Sequence, residues 1–290
     1  MRMNPRCVAC QIKKQDEKIK HESDELKKLR YIKKVLQILG NSGEEETMPW
    51  LSNQIEVLFD ETFPHAQMPY AKLKKQYNQL MLSMQDELRA KIEESKDPIA
   101  YAIQLAIVGN YIDFGAMSNV SSSFLLELLE KAQSIHLDQT YYQRLLHDLQ
   151  NAKQVLYICD NCGEVVADKL LLEQLIKHYP NITFTVMVRG DEIINDATMV
   201  DAKEVGLCSL CNVIDNGIRL AGTDLNHISK SALDAIHQAD FIFSKGQANF
   251  ETLSDNGLPI YYLLLCKCDL FAERFNLPKF QGVLFYEDKK

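Results

Sequence analysis

No stretch of this 290-residue chain approaches the ~20 consecutive apolar residues needed to cross a bilayer, and its opening, MRMNPRCVACQIKKQ, lacks the apolar core of a secretory signal. Positive charge is in deficit. A formal net charge of −8 argues against a general nucleic-acid binder. Gly-rich Walker loops and dinucleotide-binding fingerprints are also missing, so neither phosphate cradle sets the chemistry. No internal repeat or low-complexity tract stands out. These absences make the expectation a soluble, cytoplasmic protein without nucleic-acid or membrane partners. In that compartment the eight cysteines are read as thiols rather than disulfides.

What is present belongs to a globular chain. Hydrophobic residues make up 46% and charged residues 25%, both ordinary values. The length allows a sizeable core and one large or two modest domains. The sequence changes character near residue 152. Before that point apolar residues recur at helical spacing among many charges, as in VACQIKKQDEKIKHESDELKKLRYIKKVLQIL. Further helices are expected over roughly residues 48–59, 69–94, 98–108 and 122–151. After residue 151, short apolar strands (QVLYICD, ITFTVMV, CNVID, DFIFSKG, PIYYLLLC, GVLFYE) alternate with helix-like segments such as EVVADKLLLEQLIKHY and SKSALDAIHQA. That alternation predicts a mostly parallel sheet covered on both faces. The expected division is therefore a helical region over residues 1–151, acting as a cap that contributes to the pocket, and an α/β domain over residues 152–290.

Open α/β sheets bind ligands beyond the carboxyl ends of their strands. Four strands aim polar residues at that edge. Asp160 and Asn161 follow VLYIC, and Asp191 and Asp196 follow ITFTVMV. Lys245, Gly246 and Asn249 follow DFIFS, and Lys267 closes YYLLLC. The same stretch holds a rival chemistry, because Cys159 and Cys162 form a C-x-x-C pair, as do Cys7/Cys10 and Cys208/Cys211. A zinc site joining Cys159/Cys162 to Cys208/Cys211 would have to bridge different strand ends across a helix, a strand and another helix. Cys159 also sits in a buried strand, where free cysteine behaves as a small hydrophobe. The oxygens are better placed. Asp160, Asn161 and Asp196 are hard donors suited to Mg2+ or Mn2+ and would leave coordination positions for water and a substrate phosphate. Lys245 and Lys267 would complement phosphate charge, and the helix beginning near Gly163 offers backbone donors.

The segments DNCGEVVAD (160–168), INDATMVDA (194–202), SKGQANFE (244–251) and LLCKCDL (264–270) resemble the motifs of the metal-dependent damage-control phosphatases, a family once catalogued as domain of unknown function 89. CVAC and DPIAYAIQLAIVGNYIDFG (97–115) are similar to its prokaryotic-type members, so the resemblance spans nearly the whole chain. It implies a helical N-terminal region packed on a Rossmann-like, mostly parallel three-layer α/β/α sheet domain. By motif matching it implies that Asp160, Asn161 and Asp196 bind a divalent cation, one of Mg2+, Mn2+, Co2+ or Ni2+. It further implies that Lys245, Gln247, Asn249, Glu251 and Lys267 contact a small phosphorylated metabolite, and that Asn110 and Asp113 line the pocket from the helical region. The family carries a proline before its INDAT segment where this chain has Glu192. Glu164 is a candidate orienting group or base. The activity implied is hydrolysis of phosphate monoesters such as sugar phosphates. A carboxyl methyltransferase and a non-enzymatic metal- or metabolite-binding protein are the alternatives.

Overall fold

The computed structural model describes residues 1, 3–64, 70–111 and 131–288. The chain forms two compact units, Met1–Pro69 and Tyr70–Lys290. The first is helical: α1 (Pro5–Lys18), α2 (Glu25–Gly40) and α3 (Met48–Thr62) are opened by Asn4, Asp24 and Thr47, whose side chains accept from backbone N–H groups of the first turn. Tyr31, Val35, Leu39, Leu51, Ile55 and Phe59 face one another as its core.

The second unit begins with α4 (Tyr70–Glu94) and α5 (Pro98–Gly109). After a 3-10 turn at Lys131–Ser134 comes α6 (Gln139–Asn151). From there strands and helices alternate: β1 (Gln154–Ile158), α7 (Glu164–His178), β2 (Thr183–Val188), α8 (Met199–Glu204), β3 (Asn212–Asp215), α9 (Lys230–Gln238), β4 (Phe241–Lys245), α10 (Gly246–Leu253), β5 (Ile260–Leu265), α11 (Asp269–Phe275) and β6 (Gly282–Glu287). All six expected strands pair into one sheet of order β3-β2-β1-β4-β5-β6, parallel except for the antiparallel β6. The central strands are apolar because both faces are covered. On one face Tyr157, Phe243 and Tyr261 join a core with α4, α5 and α7. On the other, Phe250, Tyr262, Phe271 and Phe285 pack ring against ring. The architecture is a three-layer α/β/α sandwich.

Two sequence expectations differ from this structure. The division expected at residues 151/152 is not where the packing divides, because α4, α5 and α6 share the sheet's core. The cause is α5, PIAYAIQLAIVG, which is apolar nearly all round and therefore must be enclosed. It packs against α7, β5 and β6. The single helix expected over residues 122–151 is, within the described residues, a 3-10 turn followed by a newly capped helix. Asp138 accepts from Thr140 N and Tyr141 N, which starts α6 afresh. The short α11 carries too few residues for periodicity to announce it.

Candidate functional site

The sheet order places β1 beside β4, with the chain winding outward in opposite directions from that pair. Loops leaving β1 and β4 therefore diverge and open a crevice at their carboxyl ends. Asp160 and Asn161 follow β1, Arg189 follows β2, Lys245 ends β4 and Lys267 lies just past β5.

The loop after β1 is pinned against the loop after β2. Asn161 and Asp196 form an isolated antiparallel bridge, Ala197 N donates to Asp160 O at 2.7 Å, and Cys162 N donates to Asn195 O at 2.8 Å. Asn195 Nδ2 also donates to Asn161 Oδ1 at 2.8 Å. Gly163, at φ +71°, turns the chain into α7, and its N–H donates to Asn78 Oδ1 of α4 at 2.7 Å. Asn78 is itself held by Asp201 of α8, which Lys74 approaches at 2.8 Å. The consequence is a rigid frame. Asp160, Asn161 and Asp196 come together with no more than 6% of any of them exposed.

Beneath them lies a buried charge network. Lys245 Nζ donates to Glu164 Oε1 at 2.5 Å, to Asp168 Oδ1 at 2.6 Å and to Ala106 O at 2.8 Å, so its three protons all have partners. Tyr157 OH donates to the same Asp168 oxygen at 2.7 Å. Burial alone would lower the Lys245 pKa, but Asp168 and Glu164 outweigh it and hold the ammonium charged. Burial pushes Asp168 up to about 6 against the pull of Lys245. On its other oxygen, Glu164 accepts from Asn110 Nδ2 and Asn161 Nδ2, both at 2.9 Å. Those two amides also reach Asp160 Oδ2, at 2.9 and 2.8 Å.

Arg189 makes the second buried cation. Its Nε donates to Asp196 Oδ2 at 2.6 Å and its terminal nitrogens to Asp160 Oδ1 at 3.3 Å and Asn249 Oδ1 at 3.1 Å. Asn249, on α10, donates in turn to Cys159 O and Lys245 O, and it also accepts from Thr223. The turn into α10 passes so close to Asp160 that only glycine fits. Gly246 has φ +76°, and a Cβ there would lie 1.9 Å from Asp160 Oδ2.

The sequence-predicted residues thus divide by task. Asp160, Asn161 and Asp196 are brought together, and the Asp160 and Asp196 carboxylates share Arg189. Lys245, Glu164 and Asn249 are turned inward with their polar atoms engaged by protein. In this arrangement they hold the neighbouring groups in place, which for Glu164 is the orienting role, one of the two expected of it. Gln247 and Lys267 are half-buried at the edge, joined by Lys267 N donating to Gln247 Oε1 at 2.6 Å. Glu251 is half-buried on α10, Asn110 is wholly buried beside Asp160, and Asp113 lies outside the described residues. Arg189, Asp168 and Asn78 were not singled out from sequence. Arg189 carried a readable signal, a charged residue at a strand's carboxyl end; Asn78, far away on α4, carried none.

The cysteines are all free. Cys159 and Cys162 are buried, and burial raises both thiols above their ordinary pKa, so neither is a ready thiolate. Among the described residues no three His, Cys, Asp or Glu side chains are grouped to hold a metal. The oxygens that converge are the carboxylates of Asp160 and Asp196, which suit a hard divalent cation; Asn161 turns its Nδ2 to Asp160 and Glu164 and its Oδ1 to Asn195, so its carbonyl would join them only by exchanging that bond. Electrostatics favour such a guest. Four buried carboxylates (Asp160, Glu164, Asp168, Asp196) face two buried cations (Lys245, Arg189), so full ionisation would leave two negative charges unbalanced. Asp160 registers the imbalance: burial, then Asp196 and Glu164, push its pKa up to about 8 against the pull of Arg189 and Lys267.

A family model described as the damage-control phosphatase ARMT1-like domain matches residues 3–282. An uncharacterised protein of Methanocaldococcus jannaschii is 30% identical over 98% of this chain and 95% of its own length. A damage-control phosphatase of Pyrococcus horikoshii is 32% identical, with 83% of each chain covered, and one of Archaeoglobus fulgidus is 32% identical over 70% of each. The crystal structure of a Pyrococcus horikoshii protein of the DUF89 family superposes over 100% of both chains with a TM-score of 0.83 and 27% identity. Sheet order, strand-end site and matched length agree: the chain belongs to the damage-control phosphatase ARMT1-like family.

Proposed function

We propose that this protein is a metal-dependent phosphatase that releases phosphate from monoesters of small metabolites such as sugar phosphates. The observation that carries the reading is that buried carboxylates outnumber buried cations where Asp160, Asn161 and Asp196 come together. These three would hold a divalent cation, one of Mg2+, Mn2+, Co2+ or Ni2+. When bound, the cation withdraws charge from the phosphoryl oxygens and helps align the ester. The chain's own residues do the rest. Arg189 and the Glu164–Lys245–Asp168 network hold the three donors in place, so little reorganisation is needed as charge develops. Lys267 and the first turn of α10 offer positive charge and backbone donors to phosphate oxygens. The free thiols fit a cytoplasmic setting.

The test is phosphate release from a panel of metabolite esters with each metal, with metal content measured in parallel for wild type, Asp160→Asn and Cys162→Ala. A chelator should abolish turnover and added metal should restore it. Asp160→Asn should lose metal and rate together, while Cys162→Ala keeps most of both. Full turnover in metal-free protein, or metal lost only in the cysteine variant, would overturn the reading.

A further inference from the structure

Beside the charged site stands an aromatic pair that phosphate chemistry does not require. Phe280 is 47% exposed, and its ring stacks with that of Tyr111 at a centroid distance of 5.9 Å and an interplanar angle of 22°. A singly exposed aromatic needs no explanation, but Phe280 also has φ +63°. For a bulky non-glycine residue that backbone is strained, and it persists only where its surroundings enforce it. Here they do. Phe280 N donates to Cys266 O at 2.8 Å, and Tyr111 OH donates to Phe280 O.

Both anchors lead to the site. Tyr111 directly follows Asn110, whose Nδ2 is 2.9 Å from Asp160 Oδ2. Cys266 directly precedes Lys267, whose N–H is held by Gln247, the neighbour of the Gly246 that abuts Asp160. The end of β5 lies two strands from the end of β1. At ~4.8 Å per strand that is about 10 Å, room for a phosphate at one end and a ring at the other. One further atom bears on the ligand. Asn110 Oδ1 is buried and has no hydrogen-bond donor among the described residues. The amide cannot be turned round, because its nitrogen faces the two carboxylates Asp160 and Glu164.

We propose that Tyr111 and Phe280 form a platform for the ring of a sugar phosphate, with Asn110 Oδ1 accepting from a ring hydroxyl. A flat face is shared by sugar rings and nucleobases. The buried lone acceptor favours the sugar, which brings hydroxyl donors as well as C–H faces. The proposal rests on the phosphatase reading above and assigns the part of the substrate beyond its phosphate.

The experiment compares ribose 5-phosphate, glucose 6-phosphate, glycerol 3-phosphate and a purine nucleoside monophosphate on wild type, Phe280→Ala, Phe280→Gly and Tyr111→Phe. Phe280→Gly suits the positive φ, so a folded variant lacking the ring is obtained even if the alanine variant is unstable; thermal unfolding checks each. The expected result is a fall of about five- to tenfold in the ratio of kcat/KM on the ring sugars to that on glycerol 3-phosphate, mainly through KM. Tyr111→Phe, which keeps the ring but frees the Phe280 carbonyl, should lower the ratio less. An unchanged ratio in both Phe280 variants overturns the proposal, as does a loss confined to the nucleotide. If wild type hydrolyses none of the esters, the phosphatase reading falls by itself. Calorimetric binding of the same ring sugar phosphates then decides the platform: weakened binding in Phe280→Gly supports it and equal binding removes it.

Discussion

Among the residues, Lys245 and Lys267 show how far two lysines at neighbouring strand ends diverge once they are packed. Both were legible as cations at the ligand edge. Lys245 is wholly buried between Glu164 and Asp168, whereas Lys267 is half-buried beside Gln247. Lys245→Ala strands two carboxylates in the interior, and breaking a buried ion pair this way costs about 3–5 kcal/mol. Chemical denaturation should show that loss before any kinetic effect can be assigned. Lys267→Ala should fold normally and lose roughly 30- to 1,000-fold in kcat/KM, as expected for about 2–4 kcal/mol of lost charge stabilisation. A stable Lys245→Ala with only a raised KM would show that Lys245 does reach the substrate.

The elements decide how closely these side chains can meet. The entry into α10 crosses Asp160 at a distance that leaves no room for a side chain, and the positive φ there excludes most residues independently. Gly246→Ala therefore has no relaxed solution; either α10's first turn moves or Asp160 does. The expected outcome is a destabilisation of about 1–3 kcal/mol, the usual cost of a residue forced into a sparse backbone region, together with loss of metal binding. Denaturation midpoints and metal titration read the two effects separately. Wild-type metal affinity in a folded Gly246→Ala would mean that Asp160 is not a ligand. A similar coupling runs through Asn78, by which α4 holds the start of α7 and hence Glu164.

For the whole molecule, the excess of buried carboxylates over buried cations makes stability depend on pH. Asp160 has its pKa raised from 3.8 to about 8, so the folded metal-free protein keeps a proton that the unfolded chain releases near pH 4. Stability of the metal-free protein should accordingly fall as pH rises from about 4 to about 8, by at most ~1.4 kcal/mol per pH unit for this group, and level off above. Asp168, raised to about 6, adds to the lower half of that window. A metal must displace the same proton, so its affinity should rise toward pH 8 and then plateau. Calorimetry between pH 6 and 9 checks this, and a metal affinity indifferent to pH would remove the coupling.

The sequence by itself determined the strands, their burial on both faces and the placing of polar residues such as Asp160 and Lys245 at their carboxyl ends. Each of these is encoded locally, by apolar runs such as VLYI and FIFS and by polar residues placed immediately after them. It also set the oxygens ahead of the cysteines as candidate ligands, and Cys159 and Cys162 are buried free thiols in the structure. Three things were settled only in the tertiary structure. The helices before residue 151 fall in the sheet's unit because α5, apolar nearly all round, packs on α7, β5 and β6, and nothing in its own spacing says which sheet must enclose it. Lys245 and Asn249 face inward because Asp168, Glu164 and Arg189 wait there, on elements far away in the chain. The aromatic pair Tyr111–Phe280 joins residues with a sequence separation of 169. Periodicity and motif spacing report what a segment does to its neighbours in sequence; partners brought in by the fold leave no such mark.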